Sequence, residues 1–268
     1  MVRAGVVAVL VALVRDAPGL PVGEKAAEAL CVLSVGVRNK VTIAEEGGVE
    51  VLVAAVGSAV VAPRCREKAA SALMNLAFDA HNQALIAAAG GIRCLVDMLQ
   101  GSGAGGEAGS TMIMREKAAG ALWNLAANNA HNKEAIREAG GIPALVDLVR
   151  FGSAEGQERA AAALQNLAAN SPDNQRDIAS AGGIDALVGL LQDSVSSMGS
   201  EKVQFACSRA LRNLAMDHED NQARIVEGGG LAALRMLARQ GSPRGKKNAA
   251  RVLRCLTSPR LGGDECRG

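Results

Sequence analysis

The sequence predicts an all-α solenoid of stacked helical repeats, and three observations predict it. The phrase ALWNLA at residues 121–126 returns as ALMNLA (72–77), ALQNLA (163–168) and ALRNLA (210–215), with weaker copies at 29–34 and 252–257. A second phrase, AGGIPALVDL, returns as AGGIRCLVDM, AGGIDALVGL and, more loosely, EGGVEVLVAA and GGGLAALRML. Self-similarity at a period between 40 and 50 residues marks units that bury their apolar faces against their neighbours. Finally, 49% of the residues are apolar, yet the chain holds one Trp, three Phe and no Tyr. That composition fills a core with small aliphatic side chains on closely spaced helices, without the aromatic and β-branched runs of strands.

Each unit reads as three helices. The first is short and spans 82–89, 132–139, 174–181 and 221–227 in successive copies, with Asn82, Asn132, Asn174 and Asn221 expected as N-caps. A Gly-Gly pair then ends it, because glycine accepts positive φ and lets two helices meet with close backbone contact. The second helix carries the IPALVDLV pattern, and Pro143 suits its first turn, where no N–H is needed. The third is the longest, for example 115–127. Let the second glycine of each pair and the Asn of the NLA phrase serve as anchors. From Asn to the next glycine the distance is always 16 or 17 residues, whereas from glycine to Asn it varies between 25 and 33. Length variation therefore sits in one segment, read here as loops at 101–106 and 193–200. The array is expected to span 1–257 in about six units, the terminal ones atypical because Val32 and Cys255 replace the Asn; residues 258–268 read as a loose tail.

The combination Ala-Gly-Gly-Ile-x-x-Leu-Val-x-Leu, Ala-Ala-x-Ala-Leu-x-Asn-Leu-Ala and Asn-Gln/Lys-x-x-Ile resembles the armadillo repeat over nearly the whole chain. The resemblance implies a right-handed α-solenoid of stacked three-helix repeats, with the third helices lining a concave groove. Two-helix HEAT repeats are the alternative, but they lack the Gly-Gly joint.

Rotating the third helix by about 100° per residue puts one apolar arc against the core and leaves the Asn column, with the positions one, four, seven and eight residues before it, on the other side. Asn75, Asn124, Asn166 and Asn213 form a ladder whose amides offer donor and acceptor together. The resemblance implies that this column pairs with the backbone of an extended peptide; a structural bridge between helices is the other reading. The flanking positions supply Met74, Trp123 and Gln165 centrally and Arg209, Arg212, Arg251 and Arg254 towards the C-terminus, joined by Lys246 and Lys247. These imply an apolar anchor and a segment suited to an acidic or phosphorylated ligand; a merely solvated basic face, and a Trp123 packed between units, remain open. Nuclear-import adaptors of the family carry Trp one turn before the Asn on successive repeats. Here that offset holds Ser71, Gly120, Ala162 and Arg209, so a basic cargo is not expected.

A net charge of +2 supplies no field that demands nucleic acid, and the lack of aromatics removes stacking platforms, so nucleic-acid binding is the weaker alternative. Gly101–Gly106 satisfies G-x-G-x-x-G only literally, since no strand precedes it. His81, His131 and His218 read as equivalent linker positions without metal-ligand spacing, and no catalytic constellation is evident. No enzyme activity, cofactor or metal is expected. Six cysteines without paired spacing favour a reducing compartment, cytoplasmic or nuclear. Residues 1–14 imitate a signal peptide but stand in register with the repeat, and no apolar run reaches membrane-spanning length. The chain reads as a protein-interaction scaffold or adaptor. The alternative is the substrate-recognition part of a ubiquitin ligase whose catalytic domain lies outside these residues.

Overall fold

A computed structural model describes residues 4–101 and 108–257, and among them every regular element is a helix. The order begins with α1 (Ala4–Asp16) and α2 (Pro21–Leu33), followed by α3 (Val37–Glu45), α4 (Gly48–Gly57) and α5 (Pro63–Leu76). Then come α6 (Ala80–Ala88), α7 (Gly91–Gln100), α8 (Ala108–Leu125), α9 (Ala130–Glu138), α10 (Gly141–Phe151) and α11 (Ala154–Ala168). The last are α12 (Pro172–Ser180), α13 (Gly183–Ser196), α14 (Glu201–Ala215), α15 (Glu219–Glu227), α16 (Gly230–Gln240) and α17 (Pro243–Thr257). The chain divides into two compact units, Met1–Ala144 and Leu145–Gly268.

In the first unit the third helices α2, α5 and α8 lie side by side, and the second helices α1, α4 and α7 form another layer against them. In the second unit α11, α14 and α17 make the third-helix layer, with α13 and α16 behind. The repeated ALxNLA phrase explains the closeness of these layers. Its leucines (Leu73 and Leu76, Leu122 and Leu125, Leu164 and Leu167, Leu211 and Leu214) are fully buried, and its alanines leave room for the neighbouring backbone. Burying one such leucine stabilises by about 1.5–3 kcal/mol. Residues Val7, Val11 and Val14 of α1 are buried as well, so the N-terminal apolar run serves as a second helix of the repeat. Among the described residues no helix is long and apolar enough to cross a membrane.

Three joints recur along the repeats. At the Gly-Gly joint the first glycine takes positive φ, +77° at both Gly90 and Gly140. The second has no room for a side chain: a Cβ on Gly141 would stand 2.8 Å from Ile136 Cγ2 and 2.9 Å from its carbonyl oxygen. The second joint ties the second helix to the third. Arg66 Nε donates to Val56 O, Arg115 Nε to Leu99 O, Gln157 Nε2 to Val149 O and Gln204 Nε2 to Ser194 O. Each side chain thus donates to a carbonyl in the last turn of a helix, where intrahelical partners run out; Ser194 O also accepts from the Gly199 N–H.

The third joint corrects the expectation that Asn82, Asn132, Asn174 and Asn221 are N-caps. They are the third residues of their helices, and the caps stand three residues earlier: Asp79, Asn129 and His218 accept from the N–H of Asn82, Asn132 and Asn221. The buried amides of Asn132, Asn174 and Asn221 instead donate to Leu125 O, Leu167 O and Leu214 O, at 2.9–3.0 Å. They close the C-termini of the preceding third helices. His218 is accordingly not equivalent to His81 and His131, which are second residues of α6 and α9.

The first half of the loop expected at 193–200 is helix, since α13 continues to Ser196; the second half turns through Met198, with φ +49°. The third helix expected at 115–127 starts earlier, at Ala108, and stops at Leu125. The loop at 101–106 lies, apart from Gly101, outside the described residues, as does the tail 258–268.

Candidate functional site

The faces of interest are those of the third helices, taken unit by unit. In the first unit Asn124 is buried and its Nδ2 donates to Met74 O at 2.8 Å. Asn75 repeats the arrangement one helix earlier, donating to Cys31 O and Ser34 Oγ at 3.3 and 3.0 Å. Met74, Asn75 and Trp123 are half-buried. The Asn column is therefore part of the clamp between neighbouring third helices, while Met74 and Trp123 present apolar surface beside it. Phe78, two-thirds exposed, lies just past the end of α5 with Lys40 Nζ 5.0 Å from its ring centre.

The second unit repeats the clamp with different neighbours. Asn213 Nδ2 donates to Gln165 O at 2.8 Å, and Gln165 itself is buried with its Nε2 on Asn166 Oδ1 at 3.1 Å. Arg209 and Arg212, one turn apart on α14, bound a cavity of about 520 Å³ together with Ala169, Asn170, Asn213 and Met216. Arg212 Nη2 donates to Asn213 Oδ1 at 3.4 Å. The Nε atoms of both arginines are buried without an acceptor, and a buried donor left so costs about 1–3 kcal/mol. Burial and the nearby positive charges of Arg244 and Arg251 lower the pKa of Arg209. Burial, with Arg209 and Arg251, does the same to Arg212.

Of the arginines read from the sequence, Arg209, Arg212 and Arg251 thus stand together. Arg254, Lys246 and Lys247 are exposed on α17. Sequence reasoning missed Phe205, whose ring centre lies 4.5 Å from the guanidinium of Arg244, at the start of α17, and 5.3 Å from that of Arg209. A signal was present: eight residues before the Asn, other copies hold Glu67, Glu116 and Glu158, and only here does Phe replace the acid.

The thiols add no reactive centre. Cys31, Cys65, Cys94 and Cys207 are free; burial pushes Cys65 up to about 11 and raises the other three. Cys255 is disulfide-bonded, which the scattered spacing did not anticipate.

A family model described as Armadillo/beta-catenin-like repeat matches residues 129–169 and 171–216. The crystal structure of an engineered protein is 31% identical to the chain, covering 94% of it and 96% of the engineered protein, with a TM-score of 0.83. A structure described as computationally designed armadillo repeat proteins for modular peptide recognition is 25% identical, covers 93% of this chain and 99% of its own, and has a TM-score of 0.80. The chain belongs to the armadillo repeat family. A designed armadillo repeat protein solved in complex with the peptide (KR)4 shares the fold, at 23% identity, a TM-score of 0.80 and coverage of 94% of this chain and 99% of that one. Among curated protein sequences none matches. The armadillo assignment accounts for the three-helix unit, the Gly-Gly joint and the Asn column together.

Proposed function

We propose that this chain is a non-catalytic interaction scaffold that takes up an extended, acidic segment of another protein along its third-helix faces. The observation that carries this reading is unpaired positive charge. Arg209 and Arg212 stand beside Asn213 within electrostatic reach of Arg251, and among the described residues no carboxylate pairs with these arginines. A basic peptide such as the (KR)4 held by the designed relative would meet like charge here, whereas an acidic one gains from complementarity. Asn124 and Asn213 each spend an N–H on a neighbouring helix, and Asn213 Oδ1 also accepts from Arg212; a carboxamide has a second N–H to offer a peptide backbone. Met74 and Trp123 supply apolar contact in the first unit.

The test is fluorescence anisotropy with labelled extended peptides of equal length, acidic, neutral and basic, at low and high salt. The acidic peptide should bind best. The double variant Arg209→Glu/Arg212→Glu, its helicity checked by circular dichroism, should weaken it by about tenfold or more. Equal binding of the basic peptide, or an unchanged affinity in the double variant, would sink the reading.

A further inference from the structure

The cavity on α14 has the features of a site built for one oxyanion. The column that carries Glu67, Glu116 and Glu158 in other copies carries Phe205 in this one. The usual acid is thereby removed from the helix turn next to Arg209, and a ring lies beside two guanidiniums instead. Arg209 and Arg212 form part of the cavity wall, and the Nε of each is buried without an acceptor. Among the described residues no carboxylate pairs with Arg209, Arg212, Arg244 or Arg251. A volume of about 520 Å³ is ample for a tetrahedral oxyanion and the short stem that carries it.

We propose that this cavity receives the phosphate of one phosphorylated side chain in the bound segment, with Arg209 and Arg212 as its donors and Arg244 and Arg251 as the surrounding charge. The proposal rests on the peptide-binding reading given above. Phosphate fits better than a single glutamate because it brings about −1.5 to −2 charge and three acceptor oxygens. Guanidinium forks meet phosphate oxygens in a bidentate manner that one carboxylate satisfies for only one fork. The guanidiniums of Arg209 and Arg244 are held beside Phe205 before any ligand arrives, which reduces the freedom lost on binding.

The experiment uses the full chain, isotopically labelled, and follows the arginine Nε–H resonances by NMR. The probes are N-acetyl-phosphoserine amide, N-acetyl-glutamate amide, inorganic phosphate, and an acidic peptide with and without one phosphoserine. The expected result is a saturable shift of the Arg209 and Arg212 Nε signals with the phosphoserine probe, and binding of the glutamate probe weaker by about tenfold or more. The phosphopeptide should bind more tightly than its unphosphorylated form and than inorganic phosphate. Arg209→Gln and Arg212→Gln should each abolish that gain, while Arg93→Gln, in the first unit, should not change it.

Unmoved Nε signals in the parent protein would overturn the proposal without relying on any variant's folding. If the unphosphorylated acidic peptide still binds in that case, the peptide reading stands and only the phosphate site falls. If inorganic phosphate seats as tightly as the phosphopeptide and acidic peptides do not bind, the proposal and the peptide reading fall together.

Discussion

Substituting alanine at Gly90 and at Gly91, one at a time, separates the two reasons why the joint uses a glycine pair. At Gly90 the backbone has φ +77°, and an added Cβ would find nothing within 4 Å. The cost is therefore conformational only, about 1–2 kcal/mol for a left-handed residue with a Cβ. It is partly offset by about 0.4–1 kcal/mol, because alanine has less freedom to lose from the unfolded chain. At Gly91 the backbone is ordinary helix, and a helix-propensity argument alone predicts that alanine stabilises by up to about 1 kcal/mol. The packing opposes this. The new Cβ would lie 2.6 Å from Ile86 Cγ2, 2.8 Å from Ile86 O and 3.0 Å from Val53 Cγ2. Two of these atoms belong to stiff β-branched side chains and the third to backbone, so relief requires the α6–α7 joint to open. Three such contacts at once put the cost at or above the upper end of the about 1–3 kcal/mol that overpacking takes, giving a net loss of about 2 kcal/mol. With a urea m-value of about 2 kcal/mol/M, Gly91→Ala should lower the midpoint by about 1 M, and Gly90→Ala by about half that. Urea titrations followed by circular dichroism, read as midpoints because repeat arrays need not unfold in one step, measure both. A Gly91→Ala midpoint at or above that of Gly90→Ala would refute the close-approach argument.

Two further outcomes follow from the hydrogen bonds. Asn132→Ala removes the amide that satisfies Leu125 O and should cost about 1–3 kcal/mol. Asn82→Ala should cost less in the same titration, because the Nδ2 of Asn82 has no acceptor to lose; equal losses would argue against the clamp. Arg212→Met removes a buried, unsatisfied donor and relieves repulsion with Arg209 and Arg251. Its urea midpoint should stay level or rise by up to about 1 kcal/mol equivalent, and a clear fall would show that Arg212 serves the fold.

The fold was legible because the signals that encode it recur. Gly-Gly pairs, ALxNLA phrases and constant Asn-to-glycine spacings each appear several times, so one noisy copy does not obscure the pattern. The third-helix face was legible for the same reason, as the set of positions where copies differ. What escaped was set by distance rather than period. Asn132 and its equivalents looked like caps because Asn near a helix start usually is one. Whether it stands before the first turn or within it depends on where Asp79, Asn129 or His218 breaks the helical φ/ψ, and that offset of three residues is not visible in a repeated Asn. Arg244 comes from an element eleven residues ahead of the Asn column position, Cys255, so its approach to Phe205 is a tertiary fact.

The same geometry separates stability from recognition. Asn75, Asn124 and Asn213, the second-to-third-helix clamps and the Gly-Gly joints are bonded into the stack, so substitution there is felt first by the fold. Positions four and one before the Asn lie beside that framework. Ser71 among them is buried, its hydroxyl on Glu67 O, and so is Gln165, while Met74, Trp123, Arg209 and Arg212 keep part of their surface open. In a stack of this kind the chemistry of the face can change from apolar to strongly basic between one copy and another without altering the packing underneath. The Nε atoms of Arg209 and Arg212, buried without an acceptor, belong to side chains of this variable face that line one cavity.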